Sequence, residues 1–214
     1  HEDEPPITNV VFMGMGEPLL NFENVIESAK IMKEQHAYGL SRKRITISTS
    51  GITPLIDKLC NEIDVSLAIS LHAPTNELRD EIVPINKKYP ISTLIRSCNN
   101  YLKNYQSKRS ITIEYILIDG INDSEELARK LAKLLSNLSC KINLIPFNPF
   151  EGSSYKRSKT KTIENFKKIL MDKGFITTLR VTRGDAIDGA CGQLVGKLSK
   201  SIKGKKLISH KLIS

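Results

Sequence analysis

No window of the sequence approaches the run of about eighteen consecutive apolar residues that a membrane-spanning helix needs, which argues against such a helix. The opening residues, HEDEPP, are acidic and precede no signal-type apolar region, so nothing there reads as a secretory signal. Cysteine is scarce and scattered: Cys60, Cys98, Cys140 and Cys191 contain no CxxC pair. That spacing argues against a disulfide framework and a zinc site, and a reducing, cytoplasmic compartment is expected. Nucleotide fingerprints are missing as well. The turn MGMGEP (13–18) is neither GxGxxG nor a P-loop, because no further Gly and no Gly-Lys-Ser follows it.

What is present is a basic, moderately apolar chain of 214 residues, 40% hydrophobic and carrying a net charge of +9, the composition of a soluble globular domain. The charge is uneven. From Gly189 to Ser214 there are six lysines and no acids. Residues 1–198 are expected to form one domain and residues 199–214 a basic, flexible tail, with a polyanion contact as the sharper alternative. The absent initiator Met and the early apolar run VVFMGMG suggest a chain cut from a longer one.

Apolar and β-branched runs predict strands over Asn9–Met13, Arg44–Thr49, Val65–Leu71, Ile111–Ile118, Lys141–Ile145 and Phe175–Thr182. Their near-continuous hydrophobicity suggests parallel strands covered on both faces. Amphipathic helices fall between them. Asn21 is placed to cap Phe22, Val25, Ile26, Ala29 and Met32; Asp123 with Glu126 forms a capping-box pattern; and Thr162 starts a helix that stops at Gly174. Strand–helix alternation of this kind predicts an α/β fold with a parallel sheet or barrel.

In such folds, ligands gather at the carboxyl ends of the strands. The predicted strand exits are 14–18 (GMGEP), 48–51 (STSG), 70–72 (SLH) and 147–149 (FNP), each polar or glycine-rich after an apolar run. Any one of them is an ordinary turn; together on one rim they suggest a binding site. His72, without clustered Cys, Asp or Glu, reads as a polar contact rather than a metal ligand. Cys191 lies among small residues in TRGDAIDGACGQL (182–194). A nearby helix start and Arg183 favour the thiolate, whereas the bland reading is a buried structural cysteine. Cys60 and Cys140 fit that bland reading, and Cys98 gives no signal. Aromatic and basic residues interleave at Phe147, Phe150, Tyr155, Lys156, Arg157, Lys159 and Lys161, and Arg42–Arg44 form a second basic group. Both are compatible with RNA contacts or with a solvated face.

Six ordered segments carry a family resemblance: VVFMGMGEPLLN (10–21), ITISTSG (45–51), LAISLHAP (67–74), RDEIVPINKKY (79–89), KINLIPFNPF (141–150) and TRGDAIDGACGQL (182–194). From about Ile7 to Leu198 the chain resembles the dual-specificity adenine-C-2 methyltransferases of large-subunit rRNA and tRNA, within the radical S-adenosylmethionine (SAM) superfamily. The resemblance implies a partial (β/α)6 barrel. It implies that Gly16, Glu17, Ser48, Ser70, Leu71, His72 and Asn148 form a SAM pocket, and that Cys191 is the methyl-carrying cysteine. One SAM methylates that thiolate. A 4Fe-4S cluster cleaves a second SAM to a radical that activates the S-methyl for addition to adenine C-2, and another cysteine resolves the thioether link. The implied partners are large-subunit rRNA, tRNA and an electron donor, with a full-length monomer in the cytoplasm and no membrane.

The resemblance is incomplete. The superfamily's CxxxCxxC cluster loop is absent, so no residue of this chain is expected to bind the metal cluster. The barrel is expected to lack its first strand and to have a C-terminal extension. As given, the chain is expected to be inactive in the radical step. The alternatives are a non-catalytic RNA- or SAM-binding remnant and the related adenine-C-8 rRNA methyltransferase.

Overall fold

The computed structural model describes residues 7–104, 110–150 and 152–180. Six strands alternate with helices: β1 (Val10–Phe12), α1 (Phe22–Lys33), β2 (Ile45–Thr49), α2 (Thr53–Glu62), β3 (Ser66–Ser70), α3 (Asn76–Ile82), α4 (Ile91–Lys103), β4 (Ile111–Leu117), α5 (Glu125–Leu135), β5 (Cys140–Pro146), α6 (Thr160–Asp172) and β6 (Thr177–Leu179). All six predicted strands are found, and β1 and β6 are shorter than expected. The strands form one sheet in strict sequence order, and every neighbouring pair is parallel. A sheet that never reverses its order keeps all its right-handed crossovers on one side, which is the winding sense of a barrel.

The helix-covered side is apolar. Ile45, Ile47, Leu67, Ile69, Ile113, Tyr115, Ile142 and Leu144 join one buried cluster with Ile26, Ile56, Leu94, Leu131 and Phe166 from the helices. Tyr115 and Phe166 anchor it, with ring centroids 5.2 Å apart, a contact worth about 1 kcal/mol beyond area burial.

The opposite side departs from the expectation of burial on both faces. Parallel register puts Ser48, Ala68, Thr112 and Lys141 in one row across β2 to β5. The next row holds Ser70, Glu114, Asn143 and Thr178 across β3 to β6. Side chains alternate across a strand, so β2 to β5 carry an apolar set toward the helices and a mainly polar set away from them. The helix side of β2 to β5 is apolar almost throughout, and ITIEYIL of β4 shows the alternation.

Two helix starts also differ. The cap of α5 is Ser124, whose hydroxyl accepts from Leu127 N at 3.3 Å. Asp123, the expected cap, instead accepts from Gly120 N at 3.0 Å inside the β4 exit loop. Helix α6 begins at Thr160 rather than Thr162, a shift within the fraying of helix ends. Asn21 takes the cap position of α1 but makes no capping bond; its Oδ1 accepts from the Asn24 side chain at 2.7 Å. Helices α2 and α3 are not among the predicted elements.

Candidate functional site

Each pair of neighbouring strand exits from β1 to β4 is joined by a polar side chain. Glu17 follows β1: Oε1 accepts from Leu19 N at 3.1 Å, and Oε2 accepts from both N and Oγ of Ser50, each at 2.7 Å. Glu17 thus starts a short 3-10 turn (Pro18–Asn21) and ties the β1 exit to the β2 exit. Gly16, with φ +84°, provides the preceding left-handed turn at a glycine's low steric cost.

Arg79 of α3 joins the β2 and β3 exits. It is fully buried and donates Nε to Leu71 O (3.1 Å), Nη2 to Ser50 O (2.6 Å) and Ser70 O (3.2 Å), and Nη1 to Asn86 Oδ1 (3.0 Å). Burial lowers its pKa to about 10, so it remains a cation at neutral pH. Gly51 is shaped by this contact. A Cβ there would lie 3.2 Å from Leu94 and 3.3 Å from Arg79 Nη2, and φ is +110°.

His72 and Asn122 join the β3 and β4 exits. His72 takes a left-handed φ of 60°, and its Nδ1 accepts from Ile116 N at 3.1 Å. That bond assigns the proton to Nε2 and makes the imidazole a neutral donor. Burial, aided by the neighbouring Arg79 charge, lowers its pKa to about 3. Asn122, fully buried, donates to His72 O at 2.9 Å and Ile116 O at 2.7 Å, and accepts from Ile118 N at 2.8 Å.

Below this rim lies the polar face. Glu114 is a buried acid in mid-sheet, with Asn143, the Arg180 charge and Ser48 as the neighbours that favour its carboxylate. Burial still raises its pKa above the ordinary glutamate value, outweighing all three. Half-buried Ile116 and Ile145 pair in register at the carboxyl end of the same face. The result is a surface of fixed donors and acceptors with an apolar lip, suited to a ligand that is polar along most of its length and apolar at one end. A shallow depression at the amino end of the sheet, lined by Lys30, Lys33, Glu62 and Asp64, has no such convergence.

The predicted pocket residues Gly16, Glu17, Ser48, Ser70, Leu71, His72 and Asn148 fall at the carboxyl exits of β1, β2, β3 and β5 or just inside them. They are not alike in availability. The Glu17 carboxylate is taken by Ser50 and Leu19, and the Leu71 side chain belongs to the helix-side core. Ser48 and Ser70 lie on the polar face, and Asn148 is half-buried beyond β5. Cys191 lies outside the described residues, as does the basic tail.

Cys60 and Cys98 are buried in the helix-side cluster, and Cys140 is packed against it. Burial pushes the Cys98 and Cys140 thiols up to about 12, which keeps them protonated and inert. Among the described residues no group of three His, Cys, Asp or Glu could hold a metal, and these thiols do not fit an iron–sulfur cluster. The interleaved aromatics stack on one another: Phe147 lies 6.1 Å from Phe150 and 5.9 Å, edge-on, from Tyr155. Their loop returns over the β4 exit through Asp119 N to Lys156 O at 2.9 Å, leaving Lys156, Arg157 and Lys159 exposed. Lys43 and Arg44 are exposed at the amino end of β2, opposite the rim.

Sequence position missed Arg79, Glu114, Asn122 and Asn143. An acid within the apolar run of β4 was the readable signal for Glu114, since unpaired charges are rarely buried. The others make bonds across sequence distances that no local pattern reveals.

A dual-specificity RNA methyltransferase RlmN of Marinomonas sp. is 57% identical over 203 residues, covering 94% of this chain and 55% of that protein. The RlmN of Marinobacter nauticus is 55% identical over 196 residues, covering 92% and 53%. The chain therefore spans about half the length of the curated relatives it matches. A radical SAM methyltransferase from Sphaerobacter thermophilus superposes with a TM-score of 0.83 at 45% identity, over 87% of this chain and 54% of that one. A domain of pyruvate-formate lyase-activating enzyme from Bacteroides vulgatus shares the fold alone, at TM-score 0.62 and 21% identity. Residues 2–132 match the model of the radical SAM superfamily, and with six parallel strands wound in sequence order around a polar face, the chain belongs to that superfamily.

Proposed function

We propose that the protein to which this chain belongs methylates C-2 of adenine in large-subunit rRNA and tRNA. In this reading the chain supplies most of the SAM pocket and the methyl-carrying Cys191. The observation that carries it is the convergence of Ser48, Ser70 and His72 beside Glu114 on one polar face and rim, in a chain so similar to dual-specificity RNA methyltransferases.

When bound, SAM supplies the methyl group and the radical chemistry that an adenine carbon without a lone pair requires. The 4Fe-4S cluster, the resolving cysteine and the general base are assigned to residues outside this sequence, and an electron donor is a further partner. The chain's own groups bind and orient. Gly16 leaves backbone open to the methionine end, while Glu17 fixes that turn through Ser50. His72 offers a neutral Nε2–H, and Arg79 holds the carbonyls of Ser50, Ser70 and Leu71 in place. Asn148 reaches in from the β5 exit. Cys191 accepts and carries the methyl on sulfur, a role that needs the thiolate. The domain of residues 1–198, the basic tail of 199–214, a monomeric state and a cytoplasmic location belong to the same proposal. No described helix is long and apolar enough to cross a membrane.

The test is made on the full-length protein with its cluster in place. A methyl mass on the Cys191 peptide and 2-methyladenine in the RNA are expected, and Cys191→Ala removes both. Adenine methylation that survives Cys191→Ala would end the assignment.

A further inference from the structure

The segment between β5 and α6 crosses the carboxyl rim as a strap. Arg157 forms an antiparallel bridge with Ile118, and Asp119 N donates to Lys156 O at 2.9 Å, so the strap lies along the β4 exit. Ile118 N also donates to Asn122 Oδ1, and Asn122 in turn holds the His72 carbonyl. The strap therefore borders the same rim as the proposed SAM pocket. Phe147, buried at the β5 exit, pins it from beneath, with ring centroids 5.9 Å from Tyr155 and 6.1 Å from Phe150. Ser158 is buried between exposed Arg157 and Lys159, which fixes the backbone under both cations.

From Gly152 to Ile163 the chain carries four cations, Lys156, Arg157, Lys159 and Lys161, and no acid. All four are exposed, and no ion pair among the described residues takes in any of them. Elsewhere on α5 and α6 the helix neutralises its own cations. Arg129 lies 2.9 Å from Glu125, Lys130 2.7 Å from Glu126, and Lys168 2.7 Å from Asp172. Uncompensated positive charge on a pinned backbone attracts a polyanion and needs little ordering to bind it. Phe150 and Tyr155 are half-buried against Phe147 rather than free for base stacking. What the strap offers is charge, suited to phosphates rather than to bases.

We propose that Lys156, Arg157 and Lys159 dock the phosphate backbone of the substrate RNA beside the SAM pocket, in a contact independent of base sequence. The proposal rests on the RNA methyltransferase reading above. Phosphate contacts fix position and carry no sequence information, so one strap serves rRNA and tRNA alike. It grips what the two RNAs share and leaves the choice of adenine to other contacts.

The experiment titrates the full-length, cluster-loaded protein with RNA over a range of salt concentrations, once with a large-subunit rRNA fragment and once with a tRNA. Each phosphate contact contributes about 0.7–0.9 to the slope of log affinity against log salt. A variant combining Lys156→Gln, Arg157→Gln and Lys159→Gln is expected to lower that slope by about 2–3, equally for both RNAs. SAM affinity and the methyl mass on Cys191 should keep their wild-type values, which a collapsed rim would not allow. A control combining Arg129→Gln, Lys130→Gln and Lys133→Gln on α5 should keep the wild-type slope. The proposal is overturned by an unchanged slope in the strap variant, by an equal fall in the control, by a loss confined to one RNA, or by a parallel loss of SAM affinity. A wild-type protein that binds neither RNA contradicts the RNA methyltransferase reading itself, and the role of the strap falls with it.

Discussion

The two ends of the sheet treat charge in opposite ways. At the amino end, ion pairs are at least one-third exposed: Lys30 lies 3.0 Å from Glu27 and 4.0 Å from Glu62, with each of the three side chains at least 41% exposed, and Arg42 lies 3.8 Å from Asp64, each 33% exposed. At the carboxyl end, Arg79 and Asn122 are fully buried and His72 nearly so, and each bonds to backbone of a neighbouring strand exit. Exposed pairs are screened by water and hold little in place. Buried, hydrogen-bonded groups fix backbone geometry, at a desolvation cost that a stable fold tolerates where the geometry is used. The contrast marks the carboxyl rim as the functional end on physical grounds alone.

The sharpest way to break the contrast is Arg79→Met. It removes four hydrogen bonds and strands buried carbonyls of Ser50, Ser70 and Leu71. A loss of about 3–5 kcal/mol is expected in urea unfolding; a loss below about 1 kcal/mol would show that the rim is not held by this residue. Next is Gly51→Ala, which forces a side chain into a φ of +110° and against Leu94 and Arg79. About 2 kcal/mol should be lost by the same measurement.

His72→Asn tests the buried imidazole through pH. The His72 pKa is depressed to about 3 in the folded protein, so between pH 6.5 and 3 the unfolded chain binds more protons than the folded one. The stabilisation present above pH 6.5 is therefore lost as pH falls through that window. Asparagine suits the left-handed φ of 60° at this position. The variant should flatten the slope of stability between pH 6.5 and 5 by up to about 1.4 kcal/mol per pH unit. An unchanged slope contradicts the assigned neutral imidazole. The smallest effect belongs to the other end: Lys30→Ala should leave the thermal midpoint where it is, and a clear drop would erase the distinction between the two ends.

Much of the architecture was legible because it is written locally. The apolar positions of β2 to β5 and the 3.6 period of α1, α5 and α6 each announce an element within a dozen residues. Helix α3 is different. Of NELRDEI only Arg79 and Ile82 are buried, so no apolar stripe existed to be read. Its burial is organised by an arginine whose partners lie up to 29 residues away. The polar face was hidden by a different cause. Thr, Ser, Glu and Asn alternate with Ile and Leu in β2, β4 and β5, but β-branched density drew the reading toward burial on both faces.

The candidate site divides along the same line. Strand exits such as Ser48, Ser70 and His72 were found from position, because a parallel sheet dictates where its loops converge. Glu114, Asn122 and Asn143 were not, because their meaning depends on which strands become neighbours. Glu17, expected in the pocket, also joins two strand exits through Ser50, a bond that no local pattern reveals.

Amide hydrogen exchange of the full-length, cluster-loaded protein with and without SAM compares the two ends in a single measurement. Slowed exchange is predicted at residues 14–17, 48–51, 70–73 and 147–148, with no change at 30–35 and 62–64. Protection at the amino end, or its absence at the carboxyl rim, would contradict a SAM site on the polar face.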